Sequence, residues 1–266
     1  QDDMAHDTIK TTIAADGRAT VTLNRPEVHN AFDDALIAAL RGVLDDLAAR
    51  DEVRLVVLAS EGKSFSAGAD LNWMKRMAGY SEAENLADSM ALAHMLQRLD
   101  TMPVPTIARV QGAALGGGVG LVACCDVAVA SEGAKFSLSE VRLGLIPATI
   151  GPYVLNAIGP RQARRYFLTA ERFDAAEAQR IGLVHAVCAP DDLDTTVDAV
   201  AGELLKGGPA ALRQGKALIE RVTGGVPEAV LADTAERIAR IRAEAEGREG
   251  VAAFLEKRKP SWIGDG

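Results

Sequence analysis

At 266 residues with 48% hydrophobic content, the chain is long enough for one or two α/β domains and apolar enough to fold without disulfides or metal. A formal net charge of -8 sets it against phosphate backbones and anionic lipid headgroups, which excludes nucleic acid and membrane surfaces as main partners. No run approaches ~20 apolar residues, the first residues are polar and acidic, and Cys124 and Cys125 are neighbours among three cysteines, so a cytoplasmic chain without membrane span, signal peptide or disulfide framework is expected.

Met4 reads as the natural start, with Gln1 to Asp3 as an added remnant. Residues 8–13 and 19–23 are rich in β-formers around Asp16-Gly17 and predict a hairpin. Leu36, Ile37, Leu40, Leu44 and Leu47 then recur at helical spacing, with Asn30 or Asp33 to cap the start. Residues 53–58 form a short branched apolar run and read as a buried strand. A second helix is predicted over 82–99, with Leu86, Met90, Ala93 and Leu96. Residues 106–110 are strand-like and lead into the glycine-rich stretch from Gly112 to Gly120. Residues 126–130 and 135–138 read as strands on either side of a turn at Glu132-Gly133. Alternation of this kind, up to about Val187, predicts a layered α/β structure. From Asp191 onward the pattern is helical, broken at Gly207-Gly208-Pro209, Gly224-Gly225 and Gly247. Residues 1–190 are therefore expected to form an α/β core and 191–266 a helical region.

Several motifs fail on inspection. Gly62-Lys63-Ser64 has the end of a phosphate-cradling loop, but Val57 stands where that loop needs its first glycine. The run Gly116-Gly117-Gly118-Val119-Gly120 misses the dinucleotide fingerprint because position 121 is leucine. His6, His29, His94 and His185 are scattered, none at a zinc-ligand spacing, so no metal site is predicted. Ser64, Ser66, Ser137 and Ser139 lie in no nucleophile elbow and read as caps or turn residues.

Two loops carry the chemistry. Ser66-Ala67-Gly68-Ala69-Asp70-Leu71 and Gly116-Gly117-Gly118 each follow a predicted strand. Glycine lets backbone approach a ligand, and a helix beginning after the loop leaves N–H groups unpaired. Two such amides make an oxyanion hole. For a lone glycine cluster, tight turns and close helix packing would explain as much.

The wider context decides between them. Arg25-Pro26 with Asn30-Ala31-Phe32, the segment from Ser64 to Leu71, the segment from Gly112 to Gly118, Cys125-Asp126 and the stretch from Glu140 to Pro147 come in an order that resembles the crotonase (enoyl-CoA hydratase/isomerase) family, from about Thr20 to Lys259. The resemblance implies an α/β, ClpP/crotonase-like fold of repeated ββα units in two nearly perpendicular sheets, with a C-terminal helical trimerisation region. It implies an acyl-CoA substrate, coenzyme A entering as part of that substrate with no separate cofactor, and a homotrimer or a dimer of trimers. By position, Ala69 and Gly117 match the oxyanion-hole residues, and Ala67, Asp70 and Leu71 match the segment that holds adenine and pantetheine. Phe254 and Lys257 look like the C-terminal contact to CoA, often supplied by a neighbouring subunit. A solvated helix end is the bland alternative for that last pair.

Glu140 matches a family catalytic glutamate, where it would activate water or carry a proton to and from carbon. Composition alone would favour an ion pair with an arginine such as Arg142. Many hydratases of the family carry a second glutamate where this chain has Gly120. The stretches Ala69 to Met77 and Ser139 to Ala148 look like bacterial methylglutaconyl-CoA and isohexenylglutaconyl-CoA hydratases, which act in leucine and acyclic terpene breakdown and share the glycine. The expected function is hydration of a short or branched 2-enoyl-CoA of the 3-methylglutaconyl type. A distal carboxylate on such a substrate would want a cation, and Lys75, Arg76 and Arg142 are the candidates. The alternatives are an enoyl-CoA isomerase, which needs one proton shuttle only, and a noncatalytic acyl-CoA-binding subunit. A serine protease on the related fold is disfavoured, since no histidine lies between His94 and His185.

Overall fold

The computed structural model describes residues 8–263, so the expectation for Gln1 to Met4 lies outside the described residues. In chain order the elements are β1 (Ile9–Ile13), β2 (Arg18–Leu23), α1 (Asp34–Ala48), β3 (Leu55–Ser60), α2 (Leu71–Met77), α3 (Glu82–Asp100), β4 (Thr106–Val110), β5 (Ala113–Leu115), α4 (Gly117–Cys124), β6 (Val127–Ser131) and β7 (Lys135–Ser137). There follow α5 (Gly151–Thr169), β8 (Phe173–Asp174), α6 (Ala175–Ile181), β9 (Ala186–Cys188), α7 (Leu193–Leu205), α8 (Pro209–Thr223), α9 (Glu228–Ala243) and α10 (Ala245–Leu255).

A six-stranded sheet has the order β1-β2-β3-β4-β6-β9, and β5-β7-β8 form a second, three-stranded sheet. Only the hairpin β1–β2 is antiparallel in the large sheet, with Ile9 opposite Leu23. Its central strands send alternate residues to two apolar clusters, as the pleat requires. Val56, Leu58, Ala108, Val110, Ala128 and Ala130 face the main core, whereas Leu55, Val57, Ile107 and Val129 meet Leu193, Val197 and Ala201 of α7. Cover on both faces is why β3 is apolar from Leu55 to Ala59. It is also why the strand edge shifts: Val53 is buried although the strand starts at Leu55, where pairing with Arg18 of β2 begins.

Each passage of chain gives a strand to the large sheet, then a short extended segment to the second layer, then a helix. Between the main strands, isolated parallel bridges join Phe32 to Ala69 and Ser66 to Ala114, while Leu115 of β5 pairs with Ser137 of β7. Consecutive turns thus stack on one another, giving the repeated ββα units of the crotonase fold. The strands expected around Glu132-Gly133 both form, but β6 belongs to the large sheet and β7 to the small one.

Asp33 caps α1, accepting from Leu36 N–H at 2.7 Å, and the predicted leucine stripe is buried. Asn30 does something else: at φ 54 and fully buried, it accepts from Arg25 N–H (2.8 Å) and donates to Glu61 O (2.8 Å) and Ser64 O (2.9 Å). Ser81 and Glu84 make a reciprocal capping box at the start of α3. In the C-terminal stretch α9 packs along α3, and α10 packs against α2 and the short 3₁₀ turn Glu140–Leu143. By contrast α8 buries no residue and leaves Leu218, Ile219 and Val222 exposed. Among the described residues no helix is long and apolar enough to cross a membrane.

Candidate active site

Three segments far apart in sequence converge on the second layer: residues 64–70, the start of α4, and the Glu140 turn. Phe32 holds the first two together. Its N–H donates to Gly68 O (2.6 Å) and its O accepts from Asp70 N–H (2.7 Å). The C=O and N–H of one trans peptide point in opposite directions. Gly68 O faces Phe32, so Ala69 N–H points away from it, and Ala69 is exposed. The Phe32 ring lies under Gly117, where an added Cβ would stand 2.7 Å from the ring Cδ2. Gly118 sits as closely on Ser66, with a Cβ there 2.6 Å from Ser66 O. Only glycines let α4 come down on this layer. As the first residue of α4, Gly117 has an N–H with no acceptor inside its own helix. One aromatic residue therefore supports both expected oxyanion-hole amides.

Glu140 closes the group. Gly116 N–H donates to Ser137 O (2.9 Å) and Leu145 N–H to Glu140 O (3.0 Å), which fix the turn against α4. A Cβ on Gly116 would stand 3.2 Å from Glu140 Oε1, so the carboxyl borders the residue before Gly117. Its Oε2 is buried with no hydrogen-bond partner. Burial pushes the Glu140 pKa up to about 7, opposed only by its own backbone amide. The ion pair with Arg142 that composition alone favours is absent: the Arg142 side chain turns outward, 3.5 Å from Thr169 O.

Gly120 faces neither a carboxyl nor open space. A Cβ there would overlap Ile150 Cγ2 and lie 2.9 Å from Ile150 Cβ, with Leu96 Cδ2 at 3.6 Å. The position of the second acid is filled by packed aliphatic side chains.

The Asp70 side chain is fully engaged. It caps α2 through Asn72 N–H (2.8 Å) and Trp73 N–H (3.1 Å) and pairs with Arg25 Nη2 (3.1 Å). Arg25 also holds Asp33 (3.2 Å) and Ala31 O (2.7 Å), so one guanidinium ties the segment before α1 to the segment before α2. Ala67 is half-buried and Leu71 exposed. Phe254 is exposed on α10, the helix that packs against α2 and the Glu140 turn of the same chain, and Lys257 follows it at φ 55. Lys75 and Arg76 lie on the outer face of α2, Arg76 bonded to Asp34 at 2.6 Å. The seat of α10 was not evident in advance. Gly144, Gly247 and Gly250 permit it, since a Cβ on Gly144 would stand 2.9 Å from the Glu246 carbonyl carbon and one on Gly250 would overlap Leu143 O. Gly247, read from the sequence only as a helix break, was the available signal.

This geometry has a known home: the enoyl-CoA hydratase/isomerase family matches residues 14–265. The chain belongs to that family. A putative enoyl-CoA hydratase of Thermus thermophilus is 36% identical over 242 residues, covering 91% of this chain and 96% of that one. An enoyl-CoA hydratase structure from Shewanella pealeana is 46% identical with a TM-score of 0.79, covering 96% of both chains. A putative enoyl-CoA hydratase structure from Mycobacterium avium paratuberculosis superposes more closely, with a TM-score of 0.87 at 36% identity over 96% of this chain and 99% of that one. Family membership makes the chain an enzyme of the enoyl-CoA hydratase class, with acyl-CoA as its kind of substrate.

Proposed function

We propose that this enzyme hydrates a short or branched 2-enoyl-CoA, with 3-methylglutaconyl-CoA as the type substrate. The observation that carries the reading is the Glu140 carboxyl, buried beside Gly116 with an unpartnered oxygen and a pKa pushed up to about 7. A general base works best when its pKa lies near the operating pH.

In this reading the Ala69 and Gly117 amides receive the thioester oxygen, each worth on the order of 3 kcal/mol as the enolate develops. Ionised Glu140 takes a proton from water as the water oxygen attacks Cβ. The same carboxyl then delivers a proton to Cα, which leaves the net addition of water across the double bond. Ala67, Asp70 and Leu71 would hold adenine and pantetheine, Asp70 through backbone because its side chain is occupied. Phe254 and Lys257 would complete the CoA contact from α10. No separate cofactor is needed. The exposed stripe on α8 supports a contact with another protomer, and the homotrimer or dimer of trimers and the cytoplasmic location rest on the family resemblance.

The aliphatic packing at Gly120 favours one other reading. Without a second acid, an isomerase that removes and returns a proton at two carbons needs only Glu140. A panel of enoyl-CoA thioesters, conjugated and non-conjugated and including 3-methylglutaconyl-CoA, separates the two by product mass. Gain of one water on the conjugated substrates is expected. A shifted double bond at unchanged mass would establish the isomerase, and binding without conversion a noncatalytic subunit.

A further inference from the structure

No side chain caps α4. Gly116 at its start has none to offer, and Gly117 and Gly118 add backbone freedom where the first turn forms. Gly116 N–H is tied to Ser137 O at 2.9 Å, which fixes one side of that turn. What lies beneath Gly117 must fix the other. There stands the Phe32 ring, 2% exposed. A Cβ on Gly117 would overlap ring Cε2, with Cδ2 at 2.7 Å and Cζ at 3.5 Å, so these carbons meet the Gly117 backbone itself.

Phe32 is in turn pinned on both sides. Before it, buried Asn30 binds three backbone groups and Arg25 Nη1 donates to Ala31 O at 2.7 Å. After it, Asp33 caps α1 through Leu36 N–H. The Phe32 N–H and O bracket Ala69 through their bonds to Gly68 O (2.6 Å) and Asp70 N–H (2.7 Å). The backbone of one anchored residue thus aims the Ala69 donor, and its ring sets the height of the Gly117 donor. Other bonds join the same loops without the ring. Leu115 N–H donates to Ser66 O (2.9 Å), Ser66 N–H to Ala113 O (3.0 Å) and Ser66 Oγ to Asn30 O (2.9 Å).

We propose that Phe32 is the positioning residue of the oxyanion hole: its ring sets the gap between the Ala69 and Gly117 N–H groups, and with it the polarisation of a bound thioester carbonyl. This rests on the reading of those two amides as the thioester site and names the residue that spaces them. Each donor must lie about 3 Å from the developing anion, and a misplacement of about 1 Å costs on the order of 10²-fold in rate.

A saturated thioester reads the gap without turnover. Butyryl-CoA labelled with ¹³C at the thioester carbon should show, by isotope-edited infrared spectroscopy, a carbonyl band moved to lower frequency on binding to the full-length protein. Phe32→Ala should lose most of that shift while butyryl-CoA affinity changes by less than about fivefold. On an enoyl-CoA that the enzyme converts, kcat should fall about 10- to 100-fold with KM little changed. Phe32→Leu, which keeps part of the ring's reach, should lie between. Gly117→Ala puts a methyl where the ring stands and should also lose the shift, and adding Phe32→Ala to it should recover part. A purely structural role would lower stability yet leave the band of the folded complex in place, so an unchanged shift in folded Phe32→Ala overturns the proposal. A double variant with no more shift than Gly117→Ala alone overturns it too. If Phe32→Ala does not fold, Phe32→Val carries the same test. Absence of any shift with the unaltered protein would overturn the proposal together with the thioester site. Because butyryl-CoA cannot be hydrated, a shift that depends on Phe32 without hydration of any enoyl-CoA would support the proposal and sink the hydratase reading alone.

Discussion

Ile150 fills the space into which any side chain at position 120 would project, its Cβ 2.9 Å from where a Cβ on Gly120 would stand. The two residues are buried together, Gly120 in α4 and Ile150 at the start of α5. Restoring a glutamate is therefore a packing problem before it is a catalytic one. Gly120→Glu should cost about 1–3 kcal/mol or more by overpacking. Urea unfolding should show a lowered midpoint, and pairing with Ile150→Ala should recover part of it. Full stability in the single variant would contradict the packing described.

Glu140→Gln keeps the shape of the carboxyl and removes its proton chemistry. Turnover should fall by ~10² or more while affinity for a saturated acyl-CoA stays close to that of the unaltered enzyme. The thioester contacts lie on backbone amides that this change does not touch. Near-normal turnover would remove Glu140 from the mechanism.

The raised pKa of Glu140 has a definite sign in both activity and stability. Water activation needs the ionised form, so kcat/KM should rise with pH to a plateau with an apparent pKa near 7. For stability, a carboxyl whose pKa is raised from 4.5 to about 7 on folding favours the folded state below pH 4.5, and that contribution is lost as pH rises through 7. The loss is at most about 3 kcal/mol. Above pH 7, Glu140→Gln should be the more stable protein, and the two should converge near pH 4. A variant less stable than the unaltered protein at pH 8 would contradict this burial account.

Local periodicity made part of this legible. The stripe from Leu36 to Leu47 announces α1 because a helix burying one face must repeat its apolar residues. The ends of β3 were less legible, because Val53 is buried like the strand itself and only its pairing with β2 marks the start. At the site, the glycines were readable as places where backbone must come close. What presses against them was not. Phe32 lies under Gly117 and Ile150 against Gly120. These contacts join residues 30 to 85 positions apart, and no local pattern encodes them.

Asp70 and Arg25 make a further test of how the Ala69 amide is aimed. Asp70→Ala removes two cap hydrogen bonds at the start of α2 and leaves Arg25 with Asp33 as its remaining carboxylate. Loss of such a cap costs about 1 kcal/mol, and the abandoned partly buried charge adds to it. The segment that carries the Ala69 N–H should loosen, so kcat should drop as well as stability. Asp70→Asn, which can still cap, should recover most of the stability. A variant with reduced stability and unchanged kcat would mean that α2 does not set the geometry of Ala69.

The exposed face of α8 argues for assembly. Leu218, Ile219 and Val222 are 61%, 67% and 75% exposed, on a helix that buries nothing in its own chain. Lys216 anchors that helix to the core by its contacts with Asp126 Oδ2 (2.8 Å) and Val104 O (3.3 Å), so the apolar residues are held outward rather than free to fold back. An isolated helix of this length gains little stability alone, and its apolar stripe needs a surface to cover it. If α8 carries the proposed trimer contact, the double variant Leu218→Glu with Val222→Glu should place two charges on that stripe and lower the sedimentation coefficient toward that of a monomer at micromolar concentration. Because α10 packs on the Glu140 turn of its own chain, the dissociated protein should retain measurable acyl-CoA binding. An unchanged sedimentation coefficient would remove α8 from the proposed assembly contact.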